Sequence, residues 1–232
     1  MTEKLFWQDA YMREFDARVE SIDEEGVRLD RTAFNPRGGG LVSDVGRLNG
    51  AEVTEVVKRD EEIYHVLGGG ASLRPGDAVH GAIDWERRHR VMRMHTTAHI
   101  LSAVVNRETG ALITGNQIAS VESRIDFSLD AFDRDKFGGY VKMANEAAAS
   151  GAEVKSFFMK REEALNNPGF VKLADALPPA VAELRIVQIG WIDTQADGGV
   201  HVKNTSEIGE IVVNKIENKG KSNRRLYFSL KP

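Results

Sequence analysis

Near residue 85 the spacing of apolar residues changes, and this change divides the chain into two regions that cannot share one kind of fold. Upstream, short stretches alternate apolar and polar residues, the period of a strand with one buried face. "DARVESIDEEGVRLDRTAF" turns at Glu24-Glu25-Gly26, and "GRLNGAEVTEVVKRDEEIYHVLGGG" turns at Asn49-Gly50 and again at Asp60-Glu61-Glu62. "LRPGDAVHGAIDWERR" adds a Pro75-Gly76-Asp77 turn and one more strand. Short strands at this regular spacing predict a small N-terminal β-barrel over residues 1–84.

From about Glu86 the repeat is helical: Val91, Met94, Ala98, Leu101 and Val105 fall on one face, and Asn106 to Gly110 ends the helix. "TGNQIASVESRIDFSL" reads as two strands with Ile125 and Phe127 on one face. "DAFDRDKFGGYVKMANEAAASG" is a helix opened by aspartates suited to capping, Asp130 and Asp133 first, and weakened by Gly138 and Gly139. "MKREEALNN" is a short helix stopped by Pro168, "AELRIVQIGWIDTQ" is a strand, and "GEIVVNKIENKGKSNRRLYFSL" is a hairpin around Asn218 to Asn223. The expected fold class is α+β, a small barrel followed by a mixed α+β domain over residues 85–232.

The 232 residues suffice for one large domain or two small ones. With 41% apolar and 28% charged residues and no apolar run of membrane-spanning length, the chain reads as an ordinary soluble protein without a membrane partner. The opening "MTEKLFWQDAYMREFDARV" lacks a signal peptide's apolar core. Zero cysteines exclude disulfides and thiolate chemistry and fit a cytoplasmic address. A net charge of −4 argues against a nonspecific nucleic-acid coat. The stretch "NKIENKGKSNRRLYFSLKP" is nevertheless basic, while residues 16–30 and 44–62 lean acidic. That asymmetry allows an anionic partner at one end; a solvated hairpin tip accounts for it equally well. Nothing in the sequence sets an oligomeric state.

Two of the six histidines, His95 and His99, stand four apart on the predicted helix. That spacing puts both imidazoles on one face, where they can meet one metal ion, though such pairs also serve as surface or hydrogen-bonded core residues. The position after His95 is Thr96, not the general-base glutamate of H-E-x-x-H peptidases, so a zincin is excluded. A second cluster lies in "IDTQADGGVHVKNT", where Gly198 and Gly199 can fold Asp197 and His201 toward each other. The alternative there is a plain turn with His201 on a solvated face. His65, His80 and His89 sit singly in strand or loop contexts. Three imidazoles and one carboxylate suit Zn2+ at about 2.0–2.2 Å.

Four segments together resemble a known family. "HTTAHILSAVV", "TGNQIASVESRIDFSL" and "DTQADGGVHVKNTSEIG", with "FNPRGGGLVSDVG" upstream, resemble in order the motifs of the alanyl-tRNA synthetase editing domain and its free-standing relatives, the AlaX proteins. The barrel, without a synthetase catalytic domain, resembles the medium-length AlaX-M kind. The resemblance implies an editing domain with its metal site in a cleft. It implies a hydrolase that frees a wrong amino acid, serine or glycine, from the acceptor end of tRNA(Ala), with one Zn2+ held by His95, His99, Asp197 and His201. It also implies that Gly38, Gly39 and Gly40 approach the active site, with Asp44 fixing their loop.

Two segments depart from the family pattern: in the turn Asp197 replaces the usual cysteine and Val200 the usual threonine, and in the glycine loop Leu41 and Val42 replace glutamine and proline. These changes open a second reading, a zinc-containing tRNA-binding module with weak or no editing. An aminoacyl ester is already activated, so placement and oxyanion stabilisation matter most. No glutamate follows His95, and the general base is not identifiable from the sequence. Thr32, Thr96, Thr97 and Asn116 are candidates to read the serine hydroxyl. Lys215, Lys219, Lys221, Arg224 and Arg225, with Arg37 and Arg47 of the barrel, are candidates to hold tRNA phosphates.

Overall fold

A computed structural model of the chain describes residues 1–69, 72–130, 134–170 and 181–231. Two compact units emerge, Met1–Val91 and Met92–Pro232. The first carries β1 (Glu3–Lys4), α1 (Leu5–Gln8), β2 (Glu14–Asp23), β3 (Gly26–Leu29), β4 (Arg31–Thr32), β5 (Gly46–Leu48), β6 (Ala51–Arg59), β7 (Glu62–Leu67) and β8 (Ala78–Ile83). Helix α2 (Trp85–Thr109) runs into the second. There follow β9 (Ile113–Gln117), β10 (Ser123–Ser128), α3 (Arg134–Ala149), β11 (Val154–Lys160), α4 (Arg161–Leu165), β12 (Glu183–Ile189), β13 (Asp193–Ala196), β14 (Glu210–Asn218) and β15 (Asn223–Lys231).

Six strands of the first unit close into a barrel in the order β2-β3-β7-β6-β5-β8, the ring completed by antiparallel pairing of β8 with β2. Local turn chemistry produces its hairpins. Asn49 (φ 45°) and Gly50 (φ 84°) both take positive φ, the two-residue turn whose twist matches its flanking strands. Alternation then does the rest: Val19, Val27, Leu29, Leu48, Val53, Val56 and Ile63 are buried.

In the second unit the described strands form a four-stranded sheet, β14-β15-β10-β9, and a three-stranded one, β11-β12-β13. The hairpin of β14 and β15 turns between Asn218 and Asn223, where the glycine and lysine run places it. Ile125, Phe127, Leu226 and Phe228 are buried side chains of that sheet. From Val91 to Val105 nearly every residue of α2 is buried, and among them are His95, Thr96, Thr97, His99 and Ser102. A helix buried on all sides must satisfy its polar side chains internally, and of these only the Ser102 hydroxyl finds no hydrogen-bond partner.

Three local expectations change. "AELRIVQIGWIDTQ" holds two strands: Gly190 (φ 45°) turns the chain, Ile192 N–H bonds Ile189 O at 2.8 Å, and β13 returns antiparallel on β12. Strand β11 takes Met159 and Lys160 from the helix expected there, and α4 ends at Leu165, before a 3-10 turn over Pro168–Phe170. His89 lies on α2, stacked on Trp85 with ring centroids 5.3 Å apart. The capping residue Asp133 lies outside the described residues. Among the described residues no helix is long and apolar enough to cross a membrane.

Candidate metal centre

The segment after β13 is fastened to α2 from several sides. Arg93 donates from Nε and Nη2 to the carbonyl of Ile208, at 3.1 and 2.5 Å. Asn204 caps the turn Thr205–Glu207 by accepting from Ser206 N–H, and Glu207 accepts in return from Asn204 N–H. Upstream, the buried Arg185 of β12 donates to the carbonyls of Asp197, at 3.1 Å, and Gly199, at 2.9 Å. Asp197 Oδ1 accepts Gly199 N–H at 2.7 Å, which closes the glycine turn. His201 is thereby carried inward and is 5% exposed, so the solvated-turn alternative fails.

His95, His99, Asp197 and His201 now face one another, each offering an atom within 4.8 Å of the others. The tautomers follow from the outward hydrogen bonds. His95 Nδ1 donates to Val200 O at 3.2 Å, and His99 Nδ1 to the carboxylate of Asp193 at 2.9 Å. Thr96 gives its one hydroxyl proton to Met92 O, so it accepts from His201 Nδ1 at 3.1 Å. Each ring keeps Nε2 for the interior. Two of those atoms lie 3.4 Å (His95) and 3.8 Å (His99) from Asp197 Oδ2, and the third, of His201, lies 3.1 Å from Oδ1. Four donors each about 2.0–2.2 Å from a shared tetrahedral ion stand about 3.3–3.6 Å apart. The residues present therefore fit a divalent cation in number, orientation and spacing.

Without an ion the four residues share charge, and a cation binding there displaces protons. Burial alone would raise Asp197, but the three imidazoles, His95 first, outweigh it and hold the carboxyl well below its ordinary range. Burial likewise disfavours a charged His99, yet hydrogen bonds and charge from Asp193 and Asp197 raise it to about 9. His201 goes the other way: burial and the neighbouring His95 push it well below its ordinary value.

The other named residues are placed variously. Thr96 orients His201, whereas the buried hydroxyl of Thr97 donates to Arg93 O at 2.8 Å. Asn116, on β9, has a buried side-chain oxygen without a hydrogen-bond partner. Thr32 belongs to the barrel core, fully buried and bonded to His65 Nε2 at 2.8 Å. Gly39 (φ 58°) and Gly40 (φ 85°) form a tight turn between the paired Gly38 and Leu41. Asp44 braces that loop by accepting Asn35 N–H at 2.5 Å. Among the basic residues, Arg224 is buried with its guanidinium on the carbonyls of Gly220, Asn223, Asp130 and Lys221. Arg225 forms a bidentate pair with Asp126, and Lys215 and Lys219 both meet Glu217. Arg37 pairs with Glu55 at 2.9 Å, Arg47 donates to Gly50 O at 2.9 Å, and Lys221 is exposed. Sequence reasoning passed over Asp193, Gln195 and Arg185. The available signal was "DTQAD", whose polar side chains at 193, 195 and 197 share one face of a strand.

Residues 184–227 match the family model described as the threonyl and alanyl tRNA synthetase second additional domain. The chain is 47% identical over 239 aligned positions to the alanyl-tRNA editing protein AlaX-M of Saccharolobus solfataricus, covering 100% of both. It is 46% identical over 241 positions to the protein of that name from Methanosarcina barkeri, covering 99% of each. An alanine–tRNA ligase of Methanococcus maripaludis is 35% identical over 231 positions, which span 98% of this chain and 26% of the ligase. With that identity and coverage, the chain belongs to the AlaX-M family of alanyl-tRNA editing proteins.

Proposed function

We propose that the chain is a cytoplasmic trans-editing hydrolase that deacylates mischarged tRNA(Ala), Ser-tRNA(Ala) first and Gly-tRNA(Ala) second, in a cleft of an editing domain spanning residues 85–232. One Zn2+ is assigned to His95, His99, Asp197 and His201. The observation that carries this reading is the outward anchoring of all three Nδ1 atoms, which leaves three Nε2 atoms and a carboxylate facing one point. A divalent ion held there supplies a Lewis acid for an ester carbonyl. The chain's own work is placement. Arg185 fixes the ligand-bearing turn to β12, Arg93 ties the segment beyond it to α2, and the buried surroundings keep bulk water from the rings. Asn116 offers an unpartnered acceptor to a donor such as the serine hydroxyl, which alanine lacks.

The departures from the family pattern leave this geometry whole. Val200 is fully buried and serves the site through its carbonyl, which valine supplies as well as threonine. Asp197 remains an anionic donor. The test is release of free serine from seryl-tRNA(Ala) by the purified chain, abolished by chelation and restored by Zn2+. Zinc-loaded protein that binds the tRNA without turnover supports the alternative, a binding module with weak or no editing activity.

A further inference from the structure

The three anchors of the imidazole rings differ in kind. His95 is held by a peptide carbonyl, His201 by a hydroxyl, and His99 by a carboxylate, Asp193 Oδ2 at 2.9 Å. Asp193 has a side chain with 0% exposure, and the same oxygen accepts from Gln195 Nε2 at 2.7 Å. A carboxylate taken fully out of water costs several kcal/mol unless charge or hydrogen bonds compensate it. Gln195 supplies a neutral donor, and the His99 imidazole supplies a second. Three neutral imidazoles, the Asp197 carboxylate and a dication sum to one positive charge in a buried place. Asp193 lowers that sum by one, beside the buried Arg185 guanidinium that already faces Asp197.

We infer that Asp193 is a positioning residue for His99: it fixes the ring with Nδ1–H outward and Nε2 toward the ion, and lowers the positive charge gathered there. This rests on the metal reading given above. Gln195 acts one step further out by holding the carboxylate of Asp193 on β13, the strand that leads into Asp197. A carboxylate behind a ligating imidazole raises that ring's basicity, and removing such a partner typically costs ten- to a hundredfold in metal affinity.

The experiment is competition of the full chain against a chromophoric chelator for Zn2+ alone, with long-range 1H–15N spectra of the zinc-loaded protein. D193A is expected to weaken zinc binding by roughly ten- to a hundredfold and to lose the slowly exchanging His99 Nδ1 proton, while those of His95 and His201 persist. D193N keeps an acceptor of the same size without the charge, so the proton should remain while affinity falls about tenfold. Thermal melts of the chelated variants show whether the fold survives, and D193N carries the test if D193A does not fold. Wild-type affinity in both variants, or an unchanged His99 proton in folded D193A, overturns the inference. Failure of the wild-type chain to bind zinc at all removes the metal reading itself, and the inference with it.

Discussion

Arg88 and Asp44 meet as a bidentate ion pair out of reach of water, with Arg88 Nε 2.7 Å from Asp44 Oδ1 and Nη2 donating to Oδ2. The same guanidinium donates to Ala10 O at 2.9 Å and Ala33 O at 2.6 Å, so one side chain ties the chain's first residues to both ends of the glycine loop. Such a pair is costly to break from one side, because the partner stays buried and charged. Arg88→Met is expected to cost about 3–5 kcal/mol in urea unfolding. Adding Asp44→Asn should recover part of that loss, since the stranded charge goes with it. Strict additivity of the two substitutions counts against a coupled pair.

His65 and Thr32 give the barrel a pH dependence of definite sign. Phe34 N–H donates to Thr32 Oγ1, whose own proton goes to His65 Nε2, so the ring gives its Nδ1 proton to Val27 O. Burial depresses His65 from 6.5 to about 4. The unfolded chain therefore binds more protons between those values, and stability is full above about pH 6.5 and lost as pH falls toward 4. The window corresponds to about 3 kcal/mol. A double variant, Thr32→Val with His65→Leu, replaces both partners by apolar groups and should flatten this part of the profile. The quantity to compare is the wild-type minus variant difference at pH 7 and pH 4.5, in chelated protein. A constant difference would falsify the assignment.

What could be read in advance was whatever local chemistry decides. Asn49-Gly50 and the 218–223 stretch announce their hairpins, because positive φ and solvated turns are properties of a few adjacent residues. The H-x3-H pair and the Asp-Gly-Gly-x-His turn were legible for the same reason. Strand β11 was not: at Val154–Lys160 most side chains on both faces are exposed, so its apolar residues show no alternation. Arg88 sits in "WERRHR", which reads as an exposed charged helix face until the fold buries one member of the run. Asp193 shows in the sequence only as part of the polar alternation in "DTQAD", since its partner His99 lies 94 positions earlier and meets it only in the fold.

Asn116 is expected to act on selectivity. A buried acceptor left unpaired costs free energy that a matching donor recovers, and a substrate without that donor forgoes the gain. Asn116→Leu is nearly isosteric and removes the acceptor. Folding should be unharmed or improved, while kcat/KM for Ser-tRNA(Ala) relative to Gly-tRNA(Ala) should fall about tenfold or more. Steady-state deacylation of the two substrates gives the ratio directly. An unchanged ratio would show that Asn116 does not read the amino acid.

The basic hairpin offers the least obvious expectation, because most of its charge is already engaged. Glu217 meets both Lys215 and Lys219, and Tyr227 donates to it at 3.2 Å. Those hydrogen bonds, that of Lys215 foremost, hold the Glu217 carboxyl near 2, so it stays ionised at any pH where the tRNA is intact. A phosphate approaching this hairpin must compete with a resident carboxylate for two lysines. Glu217→Gln should free them, strengthening tRNA binding and steepening the fall of log K with log salt by about one to two. Lys221, exposed beside the turn, should show the opposite sign on substitution by alanine, with a slope shallower by about one. Arg224, whose guanidinium holds backbone carbonyls, should change stability and leave the salt slope as it was. Filter binding or fluorescence anisotropy from about 50 to 200 mM salt measures all three. If Glu217→Gln leaves affinity and slope untouched, the tRNA does not pass over this hairpin.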